Sequence, residues 1–136
     1  MNVRNIALGT VAYTIGTFSL AVFWHIVLFE ERYLSFGYFE GEPSFVIGFV
    51  TILLQGVILS ALFPMVKLAG TGILRGLKFA LIIGVFFWTS HVLAFVAKQS
   101  IEGTMLFIAM ETLYLGMQFG LFGLLIGFIY RGEPAI

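Results

Sequence analysis

The sequence predicts an all-α integral membrane protein, a single transmembrane domain spanning residues 1–136 and folded as a four-helix bundle with short loops. Hydrophobic residues make up 60% of the chain, and its mean hydropathy is +1.07. Charged residues make up only 10%, whereas a soluble domain averages about 25%. A soluble protein of this size needs more charged surface to stay dispersed. Lipid is therefore the expected solvent.

Four apolar stretches are each close to the roughly 20 residues that a helix needs to cross a bilayer. We expect helices over residues 5–29, 43–66, 77–97 and 104–130. Backbone groups in hydrocarbon must be satisfied within the segment, which favours helices. The apolar runs do not alternate as barrel strands do. The first stretch exceeds the roughly 7–15 apolar residues of a signal peptide, so we expect it to be retained as a helix.

Basic residues predict the orientation of this bundle. Five fall on one side of the predicted helices: Arg4, Lys67, Arg75, Lys78 and Arg131. Only Arg32 and Lys98 fall on the other side. Because cytoplasmic loops are enriched in Lys and Arg, both termini are predicted to be cytoplasmic, in what we expect is a bacterial inner membrane.

The first loop, residues 30–42, is then expected on the outer side of the membrane. It is acidic, and it is also rich in aromatic residues: Tyr33, Phe36, Tyr38 and Phe39. Amphipathic rings are favoured at the level of the lipid headgroups. We therefore expect these rings to rest at the membrane surface.

Composition and motifs exclude several classes of function. The formal net charge is zero, which provides no basic surface for nucleic acid. The chain contains no Cys, which excludes disulfides and thiolate metal sites. It contains no Asp, no phosphate-binding loop and no HExxH motif. We therefore expect a protein that is not an enzyme.

Three ionisable residues fall inside the predicted helices: His25, His91 and Glu111. Such groups are costly in a membrane, so each is a functional candidate. Helices one and three run outward and helix four runs inward, which places all three in the outer half of the bilayer. They could hold a divalent metal, or the two imidazoles could ligate a haem or chlorin. A proton relay and a structural polar cluster without a cofactor are the other interpretations, and we favour the last.

The two histidines lie in similar surroundings. The first helix reads FWHIVLF and the third reads FFWTSHVLAF, with Phe four residues after the His in each. Both helices are predicted to run in the same direction. This similarity suggests a duplicated two-helix hairpin, a pattern that some transporters use.

The fourth predicted helix carries two marked faces. Glu111, Tyr114 and Gln118 recur at helical spacing and form a polar stripe. Glycines occupy the opposite face: Gly116, Gly120, Gly123 and Gly127. Small residues let membrane helices approach closely, so this face is predicted to pack against another helix, in this chain or in a partner.

These features favour an accessory or structural subunit of a larger membrane complex, or a homo-oligomer that packs through helix four. A small transporter or channel is one alternative. A haem-, chlorin- or metal-binding membrane protein using His25 and His91 is another. The expected partners are the lipid bilayer and either other membrane subunits or further copies of the chain.

Overall fold

A computed structural model describes residues 2–39 and 41–133, and these residues form helices and connections without a strand. The α-helices in this part of the chain are α1 (Val3–Val22), α2 (Glu30–Ser35), α3 (Phe45–Leu62), α4 (Gly72–Trp88), α5 (Ala94–Lys98) and α6 (Thr104–Ile129). Two π-helical turns, Phe23–Leu28 and Thr89–Leu93, continue α1 and α4, and a 3-10 turn, Phe63–Met65, ends α3.

Together these elements form four continuous helical segments that are long and apolar enough to cross a membrane: Val3–Leu28, Phe45–Met65, Gly72–Lys98 and Thr104–Ile129. The all-helical class and the four membrane-length helices are thus confirmed. Their outward faces expose large apolar side chains such as Val46, Leu81 and Phe86. The third segment begins at Gly72, whereas the sequence predicted a start at residue 77. Arg75, which the prediction left in the loop before this helix, therefore lies within it.

The helices are arranged in the order α3, α1, α6, α4. The main pairings are α1 with α3, α1 with α6, and α4 with α6, whereas α3 and α4 have no comparable pairing in the described part of the chain. We call the end that carries residues 2–5 and 130–133 the terminal end, and the opposite one the distal end. At the terminal end, Phe63 after α3 packs against Phe79 of α4, with ring centroids 5.2 Å apart. Towards the distal end, α3 and α4 leave a cleft between them.

Arg75 holds the terminal end together from inside the bundle. Only 4% of this residue is exposed. Its Nη2 donates to the carbonyl oxygens of Phe63 at 3.0 Å and Pro64 at 3.4 Å, and its Nη1 donates to that of Glu133 at 3.2 Å. The last carbonyls of a helix need such donors, and a cation there also complements the helix dipole. Partnered in this way, a charged residue can lie within α4.

Close contact between α4 and α6 depends on glycine. A Cβ on Gly127 would lie 2.7 Å from the carbonyl oxygen of Gly72, and one on Gly123 would lie 2.8 Å from the Cβ of Ala80. A Cβ on Gly76 would collide with the carbonyl oxygen of Gly123. Small residues therefore allow the two backbones to approach, as membrane helices often require.

The predicted glycine face of α6 is thus divided into two parts. Gly123 and Gly127 pack against α4 within the chain. Gly116 and Gly120 have open space where a Cβ would be. They line a separate groove of about 510 Å³ together with Gly84 and Trp88. The prediction that the whole face meets another helix is correct within this chain only for the half nearer the terminal end.

The aromatic residues of the first loop pack against the distal end of the bundle, with Tyr38 and Phe39 half-buried. Their level relative to the lipid headgroups stays a prediction. Tyr33 and Phe36 are buried. Gly37 has a φ of 70°, a left-handed conformation that suits glycine and ends α2. The chain then turns back, and the amide of Tyr38 donates to the carbonyl of Tyr33 at 3.2 Å. The loop thereby folds over the distal end of the bundle. Glu40 of the same loop lies outside the described residues.

Candidate functional site

Glu111 is the centre of a polar cluster at the distal end. The residue is fully buried in α6. Its Oε1 lies 2.9 Å from Nε2 of His25, and its Oε2 lies 2.7 Å from Nε2 of His91. The hydroxyl of Tyr33 donates to Oε1 at 2.5 Å. The structure therefore brings together all three ionisable residues singled out in the sequence, from three different membrane-length segments.

Both histidines lie in π-helical turns. His25 is in Phe23–Leu28 and His91 is in Thr89–Leu93. A π-helical turn inserts an extra residue into an α-helix and changes the direction of the side chains around it. Such turns are rare in proteins as a whole, and those that occur are often found at functional sites. The resemblance between the two His-containing sequences thus extends to their local backbone, and each turn directs an imidazole at the same carboxyl group.

The hydrogen bonds of His25 determine the net charge of the pair that it forms with Glu111. Nδ1 of His25 lies 3.0 Å from the carbonyl oxygen of Ala21. A carbonyl oxygen can only accept, so Nδ1 carries a proton. The bond between Nε2 and Glu111 Oε1 then contains one further proton, located on either atom. In both cases, imidazolium with carboxylate or imidazole with carboxylic acid, the pair has no net charge.

Tyr33 and Trp24 complete the surroundings of the carboxyl group. Nε1 of Trp24 donates to the Tyr33 hydroxyl at 2.7 Å, which leaves the hydroxyl proton for Glu111. Burial, together with the nearby charge of Glu111, raises the pKa of Tyr33 well above its ordinary value of 10. Tyr33 therefore remains a hydrogen-bond donor at neutral pH. Sequence reasoning assigned neither residue to the cluster, because it expected Tyr33 at the headgroups and because the hydrogen bond of Trp24 to the cluster runs through Tyr33.

His91 differs from His25 in its exposure. Its side chain is 37% exposed, compared with 9% for His25. Nε2 faces Glu111, with the hydroxyl of Tyr38 3.4 Å away. No described residue forms a hydrogen bond with Nδ1 of His91. One nitrogen of this cluster therefore remains available to a molecule that is not part of the chain.

His91, His25 and Tyr38 line the cleft between α3 and α4, which has a volume of about 370 Å³. Its walls are mainly apolar and aromatic, with rings contributed by all four membrane-length segments and the first loop. The cleft is open along one side, where α3 and α4 separate. Ligand sites generally combine an apolar lining with a few convergent polar groups, and this cleft has that character.

The polar stripe of α6 continues along the same cleft. Tyr114 packs edge-on against His25, with ring centroids 4.6 Å apart. Nε2 of Gln118 donates to the Tyr13 hydroxyl at 3.0 Å, and that hydroxyl donates to Oε1 of Gln55, also at 3.0 Å. This chain of bonds links α6, α1 and α3. It leaves the amide nitrogen of Gln55 and the amide oxygen of Gln118 without a partner among the described residues.

The cluster does not have the geometry of a metal or haem site. Within residues 2–39 and 41–133, no group of three or more His, Cys, Asp or Glu side chains is arranged to hold a metal ion. Nε2 of both histidines is engaged by Glu111, and Nδ1 of His25 is engaged by Ala21. A metal or haem iron bound by both imidazoles would have to displace these bonds. The distances are those of ordinary hydrogen bonds.

Comparison of the chain with known protein families, with curated proteins and with solved structures finds no match.

Proposed function

We propose that this chain is a non-enzymatic membrane protein that binds a small amphipathic molecule in the cleft between α3 and α4, as a carrier or transporter component. The observation that carries the proposal is the combination of an open apolar cleft with a hydrogen-bonded His–Glu–His cluster at its inner wall. The imidazole of His91, with 37% of its side chain exposed, faces this cavity. Two π-helical turns at the same place support a functional role.

The proposal includes a location and an orientation. We place the four apolar segments across a membrane, taken to be a bacterial inner membrane, with both termini in the cytoplasm. The distal end then faces outward, and the cleft opens sideways into the outer leaflet. A lipid-soluble molecule can enter such a cleft without leaving the bilayer.

Orientation can be tested directly with reporters. An enzyme that is active only in the cytoplasm should be active when fused after Ile136, and one that is active only in the periplasm should be inactive there. The reverse pattern would contradict the orientation and would place the cleft in the inner leaflet.

A second candidate function is that of a subunit in a larger membrane complex or a homo-oligomer. The groove lined by Gly116 and Gly120 favours it, since these two glycines leave room for a neighbouring helix. Trp88 borders this groove, and its Nε1 donates to the hydroxyl of Thr112 at 2.8 Å. The groove and the cleft are separate cavities, so the two functions can be tested independently.

Native mass spectrometry of a mild-detergent extract tests both functions with a matched pair of variants. A Cβ at Gly48, in the cleft, and one at Gly120, in the groove, would each meet nothing within 4 Å. Gly48→Phe therefore fills the cleft and Gly120→Phe fills the groove without an initial clash. We expect the wild type to carry a small-molecule adduct that Gly48→Phe loses and Gly120→Phe keeps.

The opposite pattern supports the subunit role. A bound polypeptide or second copy that Gly120→Phe loses and Gly48→Phe keeps would indicate assembly through the groove. A wild-type protein without any small-molecule adduct, or with one that Gly48→Phe retains, would contradict binding in the cleft.

A further inference from the structure

The charge of the cleft restricts which molecules can occupy it. Among the described residues that line it, none is Lys, Arg, Asp or Glu. An anionic head would find no basic side chain, and the carboxyl group of Glu111 lies directly behind both imidazoles. A cationic head would find no free carboxylate among the described lining residues, and Glu111 behind them is fully buried and already bonded to three side chains. Burying an unpaired charge is costly, so an uncharged head is favoured.

The free nitrogen of His91 determines the kind of hydrogen bond that the head can make. Nε2 of His91 faces the carboxyl group of Glu111, and a neutral imidazole has one ring nitrogen that donates and one that accepts. With His91 neutral and its Nε2 proton directed at Glu111, Nδ1 carries a lone pair and is an acceptor. The unpartnered amide oxygen of Gln118 is another acceptor on the same wall. The unpartnered amide nitrogen of Gln55 is a donor in the same lining. The head therefore needs a group, such as a hydroxyl, that can donate to one of these atoms and accept from another.

The walls of the cleft indicate the shape of the head. Six aromatic side chains line it: Phe18, Tyr38, Phe39, Phe45, Phe87 and Tyr114. Such rings pack best against another flat ring, in offset or edge-on arrangements. The open side between α3 and α4 provides an exit for an apolar tail into the surrounding membrane.

Building on the proposed function, we propose that the ligand is a lipophilic phenol whose uncharged ring hydroxyl donates a hydrogen bond to Nδ1 of His91. The aromatic walls hold the ring and Glu111 fixes the orientation of the imidazole. No covalent or redox step is involved.

Three probes with the same tail and different heads test this inference: para-nonylphenol, para-nonylanisole and para-nonylbenzoate. Each is measured by equilibrium dialysis against the full chain in detergent micelles at neutral pH, with empty micelles and the Gly48→Phe protein as blanks. One hydrogen bond corresponds to about a five- to tenfold preference, so the wild type should bind the phenol that much more tightly than the anisole. The benzoate should bind more weakly than the phenol.

The contact with His91 is tested in the wild-type protein by nitrogen NMR. The chain contains two histidines, and the phenol should shift only the nitrogen signals of His91. His91→Phe should remove the preference for phenol over anisole. The NMR readout stands even where that variant fails to fold.

The outcomes separate this inference from the proposed function. Equal binding of phenol and anisole, or tighter binding of benzoate, would overturn the phenol inference while leaving a cleft that binds ligands. Binding of no probe beyond the level of the Gly48→Phe blank would contradict both proposals.

Discussion

Replacing Glu111 with leucine is expected to destabilise the folded protein by about 3–5 kcal/mol, the range found when one member of a buried ion pair is removed. In the wild type, His25, His91 and Tyr33 each form a hydrogen bond with the carboxyl group of Glu111. In the variant, all three face an apolar side chain instead. Loss of the acceptor leaves buried donors unsatisfied, and this is the main source of the cost.

The measurement is reversible unfolding in mixed micelles of increasing denaturing-detergent content. Leu113→Ala is the matched control, because Leu113 lies on the exposed face of the same helix and its truncation should change stability by only about 0.5 kcal/mol. Glu111→Gln should fall between the two, since an amide oxygen accepts fewer of the three bonds. A Glu111→Leu protein as stable as the wild type would show that the cluster contributes no stability.

The second large effect is expected from adding one methyl group to Gly76. Its Cβ would collide with the carbonyl oxygen of Gly123, and the Cα of Gly127 would lie 2.7 Å away. Because both are backbone atoms, no side-chain rotation can relieve the overlap and the helices must separate. We expect Gly76→Ala to cost about 3 kcal/mol, at the upper end of the usual cost of overpacking.

Gly116→Ala provides the control for that substitution. A Cβ at Gly116 would have no atom within 4 Å, so the same chemical change should alter stability by less than about 1 kcal/mol. Unfolding of both variants in the same mixed micelles gives the comparison. Equal effects at the two positions would contradict the close approach of α4 and α6 at Gly76.

The sequence predicts the helices well because their main determinant is local. An apolar stretch of membrane length has one stable backbone conformation in lipid, so composition and length are sufficient. The prediction was wrong at the start of the third helix, where Arg75 was counted as a loop residue. Its burial depends on carbonyl groups of Phe63, Pro64 and Glu133, and no local pattern reveals partners that distant in sequence.

For the site, the sequence predicted the depth of the three ionisable residues but not whether they face one another. Topology alone gives the depth of each residue, so His25, His91 and Glu111 were expected at one level of the bundle. Rotation about the helix axes, which decides whether they face one another, depends on the two π-helical turns. A one-residue bulge of this kind leaves the apolar pattern unchanged and was not predicted.

Tyr33 was missed because a loop was interpreted by composition, and Trp24 was missed because its hydrogen-bond partner is that loop residue. Aromatic residues at the end of a membrane helix are usually found at headgroups, and nothing in the local sequence distinguishes that position from a fold back onto the bundle. The left-handed Gly37 that allows the return is one glycine among 16 in the chain. The density of rings in residues 33–39 was the available signal.

The order in which the helices are synthesised gives the α1–α6 pairing a further consequence. α1 with α3 and α4 with α6 form two hairpins. The bonds of His25 and Tyr33 with Glu111, and the bond that Gln118 donates to Tyr13, join one hairpin to the other. The amino-terminal hairpin is made first, so in the proposed membrane location its polar side chains would enter the bilayer before their partners on α6 exist. Maturation of the site would then be an assembly step between two halves, completed only after α6 has been synthesised.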